Sequence, residues 1–382
     1  MNKLVLTMMA GALLWQGLAQ RHKIDINAET PEGLLLQQIG TEEDPAKKVA
    51  LLEEFSSKYS NHAGMPWVYG QLQPAYLKAG QHDKVFPVVE KLLTFDPSDA
   101  EMAHGALKAA EAKKDPDLIL KWAVATSDAA RKAVASKKPA DEDEVENWKH
   151  KVDFAKQVET YTEYSLFNTA LQTTDPGKKI QLIDKLAERN PQSQYLAQLD
   201  EVKFQSYRQL NNTEKAVEVA EALIAKNSTN EDLYLFVADY QFQKKDYDKT
   251  QDYGDKLVAL MKSKPAPQGV AAADWEKKKT TATGLGLWFK GMSLAAQSKF
   301  GPADQVLRDA LPFVDDNDQL KAAALFNLGL ANYRLGDSAK SPNTQRILDA
   351  LKFNQQCAAI KSPYQANAQR NITAIRSQYR IR

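Results

Sequence analysis

The chain has very little cysteine: Cys357 is the only one among 382 residues. A single thiol cannot form a disulfide within the chain, so the folded state has to be held by packing. The sequence also lacks a charge excess, since 50 lysines and arginines face 49 aspartates and glutamates. That balance gives no electrostatic signal for nucleic acid or for an anionic membrane. The sequence also lacks runs of alternating β-branched residues bounded by turn signals, whereas helical periodicity is common. This pattern favours an all-helical protein.

Residue patterns that carry chemistry are also missing. Five histidines stand singly, with no metal-ligand spacing to another histidine or to the cysteine: His22, His62, His82, His104 and His150. The glycines at 284 and 286 follow a helical pattern and not a strand, which favours close helix packing over a phosphate loop. Cys357 falls at a predicted interhelical position, where cysteine acts as a small apolar residue. The sequence therefore predicts no metal, no cofactor and no catalytic residue, and we do not expect an enzyme.

Residues 1–19 have the composition of an export signal. Lys3 gives a positive start, an apolar run follows over residues 4–14, and small residues occupy 17–19. This order predicts a secretory signal peptide that is cut before Gln20. The apolar run is too short to span a bilayer comfortably, so no stable membrane insertion is expected after cleavage. We therefore expect a bacterial protein that is periplasmic or secreted, with an uncleaved N-terminal anchor as the alternative.

The sequence repeats itself over a long interval, which we call the long repeat. Residues 44–49 return as residues 175–180, since both stretches begin Asp-Pro and continue Lys-Lys, and a third, partial copy starts at residue 301. Internal repetition at this scale predicts stacked, similar units that pack on their neighbours. The predicted organisation is an N-terminal segment with a short helix (20–43), two superunits (44–174 and 175–300) and a partial third (301–382) that ends in a capping helix.

Shorter units within each superunit resemble the tetratricopeptide repeat (TPR) family, whose repeat is a helix–turn–helix of about 34 residues. One unit matches at Tyr69, Leu72, Tyr76, Gly80 and Pro97, although Gln73 stands where glycine is usual; another matches at Leu325, Leu328 and Gly329. The resemblance implies an all-α fold, namely a right-handed α-solenoid of antiparallel helix pairs. Residues 136–148 and 263–275 depart from the spacing in both superunits, and each stretch ends in tryptophan. We interpret each as a loop followed by a lengthened first helix.

In such an array the first helix of each pair lines the concave wall, which is the default surface for a partner. The family register places ten candidate partner-binding residues on that wall: Gln205, Arg208, Asp232, Leu235, Asp239, Phe242, Trp288, Phe326, Tyr333 and Arg334. Aromatic and charged side chains together would suit an extended peptide or a partner helix. The sequence lacks the Lys, Asn and Arg combination with which some family members grip a terminal carboxylate.

These observations predict an adaptor or assembly scaffold that binds protein or peptide, and no nucleic acid. Two other functions stay open at this point. The first is an obligate structural subunit of a cell-envelope complex, in which the same faces would be permanent interfaces. The second, which is less favoured, is an enzyme on a helical scaffold, because a fold alone does not decide function.

Overall fold

The computed structural model of the chain describes residues 26–27, 29–337 and 341–381. The predicted signal peptide (1–19) lies outside the described residues, and so do residues 338–340. Over the described ranges the chain is helical and contains no strand. This confirms the predicted all-α class.

The described residues form seventeen α-helices and one 3₁₀ turn at Leu311–Phe313. The helices are α1 (Pro31–Thr41), α2 (Pro45–Lys58), α3 (Met65–Lys78), α4 (His82–Phe95), α5 (Ala100–Lys113), α6 (Pro116–Val134), α7 (Glu142–Gln172), α8 (Pro176–Arg189), α9 (Leu196–Gln209), α10 (Thr213–Ala225), α11 (Glu231–Gln243), α12 (Tyr247–Ser263), α13 (Ala272–Ala296), α14 (Phe300–Ala310), α15 (Asp318–Gly336), α16 (Thr344–Ala358) and α17 (Gln365–Tyr379).

The repeated Asp-Pro pairs begin helices. The side chain of Asp44 accepts hydrogen bonds from the backbone N–H groups of Ala46 (2.9 Å) and Lys47 (3.1 Å) at the start of α2. Asp175 caps α8 in the same way, by accepting from the Lys178 N–H at 3.0 Å. Proline fits the first helical position because its missing N–H would have no partner there. The long repeat therefore reproduces a helix start, which fixes the register of the helices that follow.

The chain divides into two units, Met1–Leu210 and Asn211–Arg382. Within each unit, consecutive helices pack on each other across short connections, which makes neighbours antiparallel. A second set of contacts joins alternate helices: α3, α5, α7 and α9 in unit 1, and α11, α13 and α15 in unit 2. We call these the first helices, and the surface they present in each unit the first-helix face. This TPR-like pairing agrees with the fold that the resemblance implies, while the superunit boundaries at 175 and 301 remain sequence predictions.

Each unit has an apolar core between its paired helices. In unit 1 the largest buried side chains include Phe55, Leu107 and Trp122. In unit 2 the core contains Leu307 and Leu328, both fully buried. Burial of one such side chain stabilises the fold by about 1.5–3 kcal/mol, so packing supplies the stability that disulfides cannot.

Gln73 of α3 stands where the family pattern has glycine, and a glycine on the next first helix, Gly105 of α5, makes room for it. The Gln73 side chain is only 3% exposed and lies directly over Gly105 of α5. A Cβ atom at Gly105 would overlap the Gln73 amide nitrogen and come within 3.3 Å of Leu77. The close approach of α3 and α5 is therefore preserved, because the glycine sits on α5 and the bulkier residue on α3.

Gly286 and Cys357 of unit 2 serve packing, as predicted, and so do Gly254 and Gly291 of the same unit. Gly254 and Gly286 bring α12 and α13 together, since a Cβ atom at Gly254 would lie 2.7 Å from the carbonyl oxygen of Gly286. A Cβ atom at Gly291 would lie 2.6 Å from Leu307 of α14. Cys357 is fully buried, with its thiol 3.4 Å from the Ala322 carbonyl oxygen, and burial raises its pKa to about 11. These contacts confirm that the four residues fill or permit interhelical space.

Both predicted insertions lengthen a first helix, which confirms that interpretation: α7 has 31 residues and α13 has 25. The extension of α7 is held by Lys151, whose ammonium group donates to Asp96 Oδ2 and Ser98 Oγ, each at 2.7 Å. Lys278 takes the equivalent place on α13, because each lysine follows the tryptophan of its insertion at the same interval. Its partner is Glu231, at the start of α11. In both superunits a lysine therefore ties the lengthened helix to residues at, or just before, the start of the preceding first helix.

Candidate functional site

The ten predicted residues fall in both units. Gln205 and Arg208 lie on α9 in unit 1, and both side chains are exposed. Arg208 Nη1 donates to Gln205 Oε1 over 3.4 Å, and the guanidinium lies 5.6 Å from the ring centre of Phe204. The other eight residues lie on α11, α13 and α15 of unit 2. All ten are therefore on first helices.

Unit 2 brings four of the predicted residues into one apolar cluster, namely Leu235, Phe242, Trp288 and Phe326. Leu235 and Phe242 of α11 are half-buried, and the Phe242 ring centre lies 5.8 Å from the ring centre of Trp288 on α13. Trp288 itself is only 8% exposed, and its Nε1–H donates to the carbonyl oxygen of Leu320 at 3.0 Å. Trp288 thus supports this part of the surface from beneath, while Leu235 and Phe242 form its accessible apolar part.

The three predicted residues on α15 differ in their surroundings. Phe326 is half-buried beside Tyr364, with 5.2 Å between ring centres. The hydroxyl of Tyr333 donates to Gln378 Oε1 on α17 at 2.9 Å. Arg334 is exposed on the following position. The last helix therefore covers part of α15, and Tyr333 takes part in holding it there.

Asp232 and Asp239 are the exposed acidic residues among the ten. Asp239 Oδ2 accepts a hydrogen bond from Gln243 Nε2, one turn later, at 2.7 Å. Burial raises the pKa of the Asp239 carboxyl group above its ordinary value, and the hydrogen bond from Gln243 opposes that shift. The carboxyl group is thus crowded by neighbouring atoms, although part of the side chain reaches solvent.

Unit 1 contains a cavity that the sequence reasoning missed. Its volume is about 1100 Å³, and it is lined by residues of α2, α3 and α5 with Phe154 from α7. The walls combine apolar side chains such as Val49 and Met102 with lysines and glutamates. Ligand sites in proteins are commonly concave, mostly apolar and provided with a few polar groups that fix orientation.

The long repeat connects this cavity to the predicted surface. Five of the ten predicted residues have equivalents in the preceding copy that line the cavity, and these equivalents are Pro74, Leu77, Glu101, His104 and Lys108. They correspond in turn to Gln205, Arg208, Asp232, Leu235 and Asp239. Applying the repeat offset to the predicted surface is therefore the sequence signal that would have located the cavity.

His104 lines this cavity and carries one buried, unsatisfied polar atom. Its Nε2 is buried and has no hydrogen-bond partner among the described residues. Burial, with a smaller contribution from the positive charge of Lys108, lowers the pKa of His104 to about 4. The ring is therefore neutral near pH 7, and it packs edge-on against Tyr161 with 5.0 Å between ring centres.

An aromatic row continues from the cavity along α7 in unit 1. We define it by Tyr161, Tyr164, Phe167 and Tyr195, whose successive ring centres are 6.3, 6.5 and 4.8 Å apart. Tyr164 is exposed and the other three are half-buried. Tyr161 is anchored through its hydroxyl, which donates to Glu111 Oε2 at 2.8 Å. Such rings offer apolar contact area with little loss of side-chain entropy on binding.

Among the described residues, no group of three or more His, Cys, Asp or Glu side chains is placed to hold a metal ion. In the same part of the chain, no helix is both long enough and apolar enough to cross a membrane.

No protein-family model and no curated protein sequence matches this chain. Among solved structures it is similar to the TPR domain of P58(IPK), with 11% identity over 92% of this chain and 100% of that one, at a TM-score of 0.24. Yeast Tom70 gives 11% identity over 93% and 90% of the two chains at a TM-score of 0.24. The APC/C hetero-tetramer Cut9–Hcn1 gives 12% identity over 92% and 85% at 0.23. Likenesses this weak carry no inference, so the fold assignment stands on the helices of this chain.

Proposed function

We propose that this chain is an exported scaffold that binds protein or peptide segments on its first-helix faces, as an adaptor or in assembly. The observation that carries the proposal is the coincidence of two independent features. The family register selects six positions on α9 and α11, and the repeat equivalents of five of them line the cavity of unit 1. The composition of residues 1–19 supports export, because it follows the order of a signal peptide.

The size and walls of the cavity favour a peptide over a small metabolite. Its volume of about 1100 Å³ is at the upper end of ordinary small-molecule sites. The aromatic row lengthens the accessible surface along α7, which a chain-like ligand could follow.

Blocking the cavity provides the test. Gly70 of α3 lines the cavity, and a Cβ atom there would meet no atom within 4 Å, so Gly70→Trp would put an indole into open space. We expect this variant to fold normally and to recover at least about tenfold less of its partners from envelope extract, as measured by crosslinking and mass spectrometry. The loss follows because the indole would occupy the volume that the bound segment needs.

The matched control is Gly301→Trp on α14, a second helix, where a Cβ atom also meets nothing within 4 Å. This variant is expected to recover partners as the unaltered chain does. Equal recovery by both variants, with circular dichroism unchanged, would contradict the proposal that the unit 1 cavity is a binding site.

A further inference from the structure

One face of α11 combines apolar and acidic side chains. Leu235, Asp239 and Phe242 follow each other at the i, i+4 and i, i+3 spacings that place residues on the same side of a helix. Phe242 is fixed from below by Trp288 and Phe289, each with 5.8 Å between ring centres. Leu235 belongs to the same apolar cluster. Asp239 therefore lies between two accessible apolar side chains, Leu235 and Phe242, which pack on the apolar cluster of unit 2.

Asp239 is not paired with a cation among the described residues, in contrast to two carboxylates of α12. Asp252 pairs with Lys256 and Asp255 with Lys290, each at 2.7 Å. Among the described residues, Asp239 makes no ion pair, and its side chain accepts only the hydrogen bond from the neutral Gln243. A crowded carboxylate without a counter-charge gains free energy when a cation is brought to it.

The long repeat supplies an independent comparison. The residue equivalent to Asp239 in the first superunit is Lys108, which is exposed at the cavity and also makes no ion pair among the described residues. One repeat position thus carries opposite charges in the two copies, each time on a first helix. Because neither charge makes an ion pair among the described residues, no ion pair there requires a particular sign at this position.

We propose that Asp239 makes the unit 2 face selective for a peptide segment in which a lysine or arginine adjoins an apolar residue. The ammonium or guanidinium group binds the Asp239 carboxylate, and the adjoining apolar side chain packs on Leu235 and Phe242. This inference rests on the proposed function, since it specifies the kind of segment that the first-helix face of unit 2 accepts. Charge complementarity of this kind selects partners more than it adds raw affinity.

Selection from a phage-displayed library of short random peptides tests the inference with three forms of the full chain. The unaltered chain is expected to enrich peptides with Lys or Arg next to an aliphatic or aromatic residue. Asp239→Asn should lose the basic preference. Asp239→Lys, which copies the residue of the first superunit, should reverse the preference toward Asp or Glu. Asp309→Asn on α14 is the matched control, since Asp309 is exposed on a second helix and should leave the enriched peptides unchanged.

The strongest enriched peptide is then synthesised with a fluorescent label, and its binding is followed by polarisation. We expect Asp239→Asn to weaken binding at least about tenfold, the size of effect given by loss of one charged hydrogen bond. Enriched peptides with the same charge pattern for all forms would overturn the inference while leaving peptide binding intact. Enrichment of no peptide by any form would instead overturn the proposed function itself.

Discussion

Replacing Glu231 with alanine is expected to destabilise unit 2 by about 3 kcal/mol, because removing one partner of a buried ion pair leaves an uncompensated charge. Glu231 is only 3% exposed, and its carboxylate pairs with both Lys264 and Lys278. Lys264 is itself largely buried, lies 5.5 Å from the Trp275 ring centre and donates to the Thr229 carbonyl oxygen at 2.7 Å. Urea unfolding gives the free energy, and hydrogen exchange over residues 263–290 shows where protection is lost.

The same substitution should change how stability depends on pH. Burial acts to raise the pKa of Glu231, but hydrogen bonds from Lys264 and Lys278 outweigh it and lower the pKa to about 2 from an ordinary value of 4.5. A carboxyl group with a lowered folded-state pKa stabilises the fold fully above its unfolded pKa and loses that contribution as pH falls toward the folded value. The difference between the unaltered chain and Glu231→Ala should therefore be largest above about pH 5 and shrink toward about pH 2.

Lys278→Met is the control for this prediction. The Lys278 side chain is half exposed, so its removal should cost less than about 1 kcal/mol. If Glu231→Ala costs no more than Lys278→Met, or if its effect is the same at pH 3 and pH 7, the buried ion pair does not hold the insertion in place.

Gly254→Ala is expected to destabilise the chain by about 2 kcal/mol through overpacking, although alanine is the better helix former. A Cβ atom at Gly254 would lie 2.7 Å from the backbone carbonyl oxygen of Gly286 on the facing helix. Backbone cannot move aside as a flexible side chain can, so α12 and α13 would have to separate. Overpacking of this kind costs about 1–3 kcal/mol, more than the gain of up to about 1 kcal/mol from helix propensity.

Gly301→Ala is the matched substitution, since a Cβ atom at this helical glycine meets nothing within 4 Å. It should stabilise the chain by up to about 1 kcal/mol, because only the propensity gain remains. The thermal unfolding temperatures of the two variants should therefore shift in opposite directions, downward for Gly254→Ala and upward for Gly301→Ala. A shift of the same sign in both would show that the close approach of α12 and α13 is not what requires glycine at 254.

The helices and their pairing were predictable because they depend on local signals. The Asp-Pro caps and the helical periodicity can be recognised within short stretches of sequence. The long repeat can be recognised because such short stretches recur. The two lengthened helices were predictable for the same reason, since residues 136–148 and 263–275 repeat each other. The exported character of residues 1–19 remains a sequence prediction, because they lie outside the described part of the chain.

The depth of a side chain and the shape of a cavity were not predictable in this way. The register places Trp288 on the first-helix side, but its 8% exposure follows from the apolar side chains that pack around it. The cavity depends on how α2, α3, α5 and α7 pack together. That packing includes the contact in which the large side chain of Gln73 lies over Gly105. Pairs such as Lys151 with Asp96 join residues far apart in sequence, and a single sequence carries no signal for them.

Site-specific photo-crosslinking in living cells tests the central proposal, that first-helix faces hold the partners, most directly. A benzophenone amino acid replaces Lys108 in the unit 1 cavity or Leu235 on α11, and exposed second-helix residues Lys132 and Asp309 serve as controls. We predict protein adducts from the two first-helix positions and none from the two controls. Adducts confined to Lys132 and Asp309, or equal at all four positions, would contradict the account.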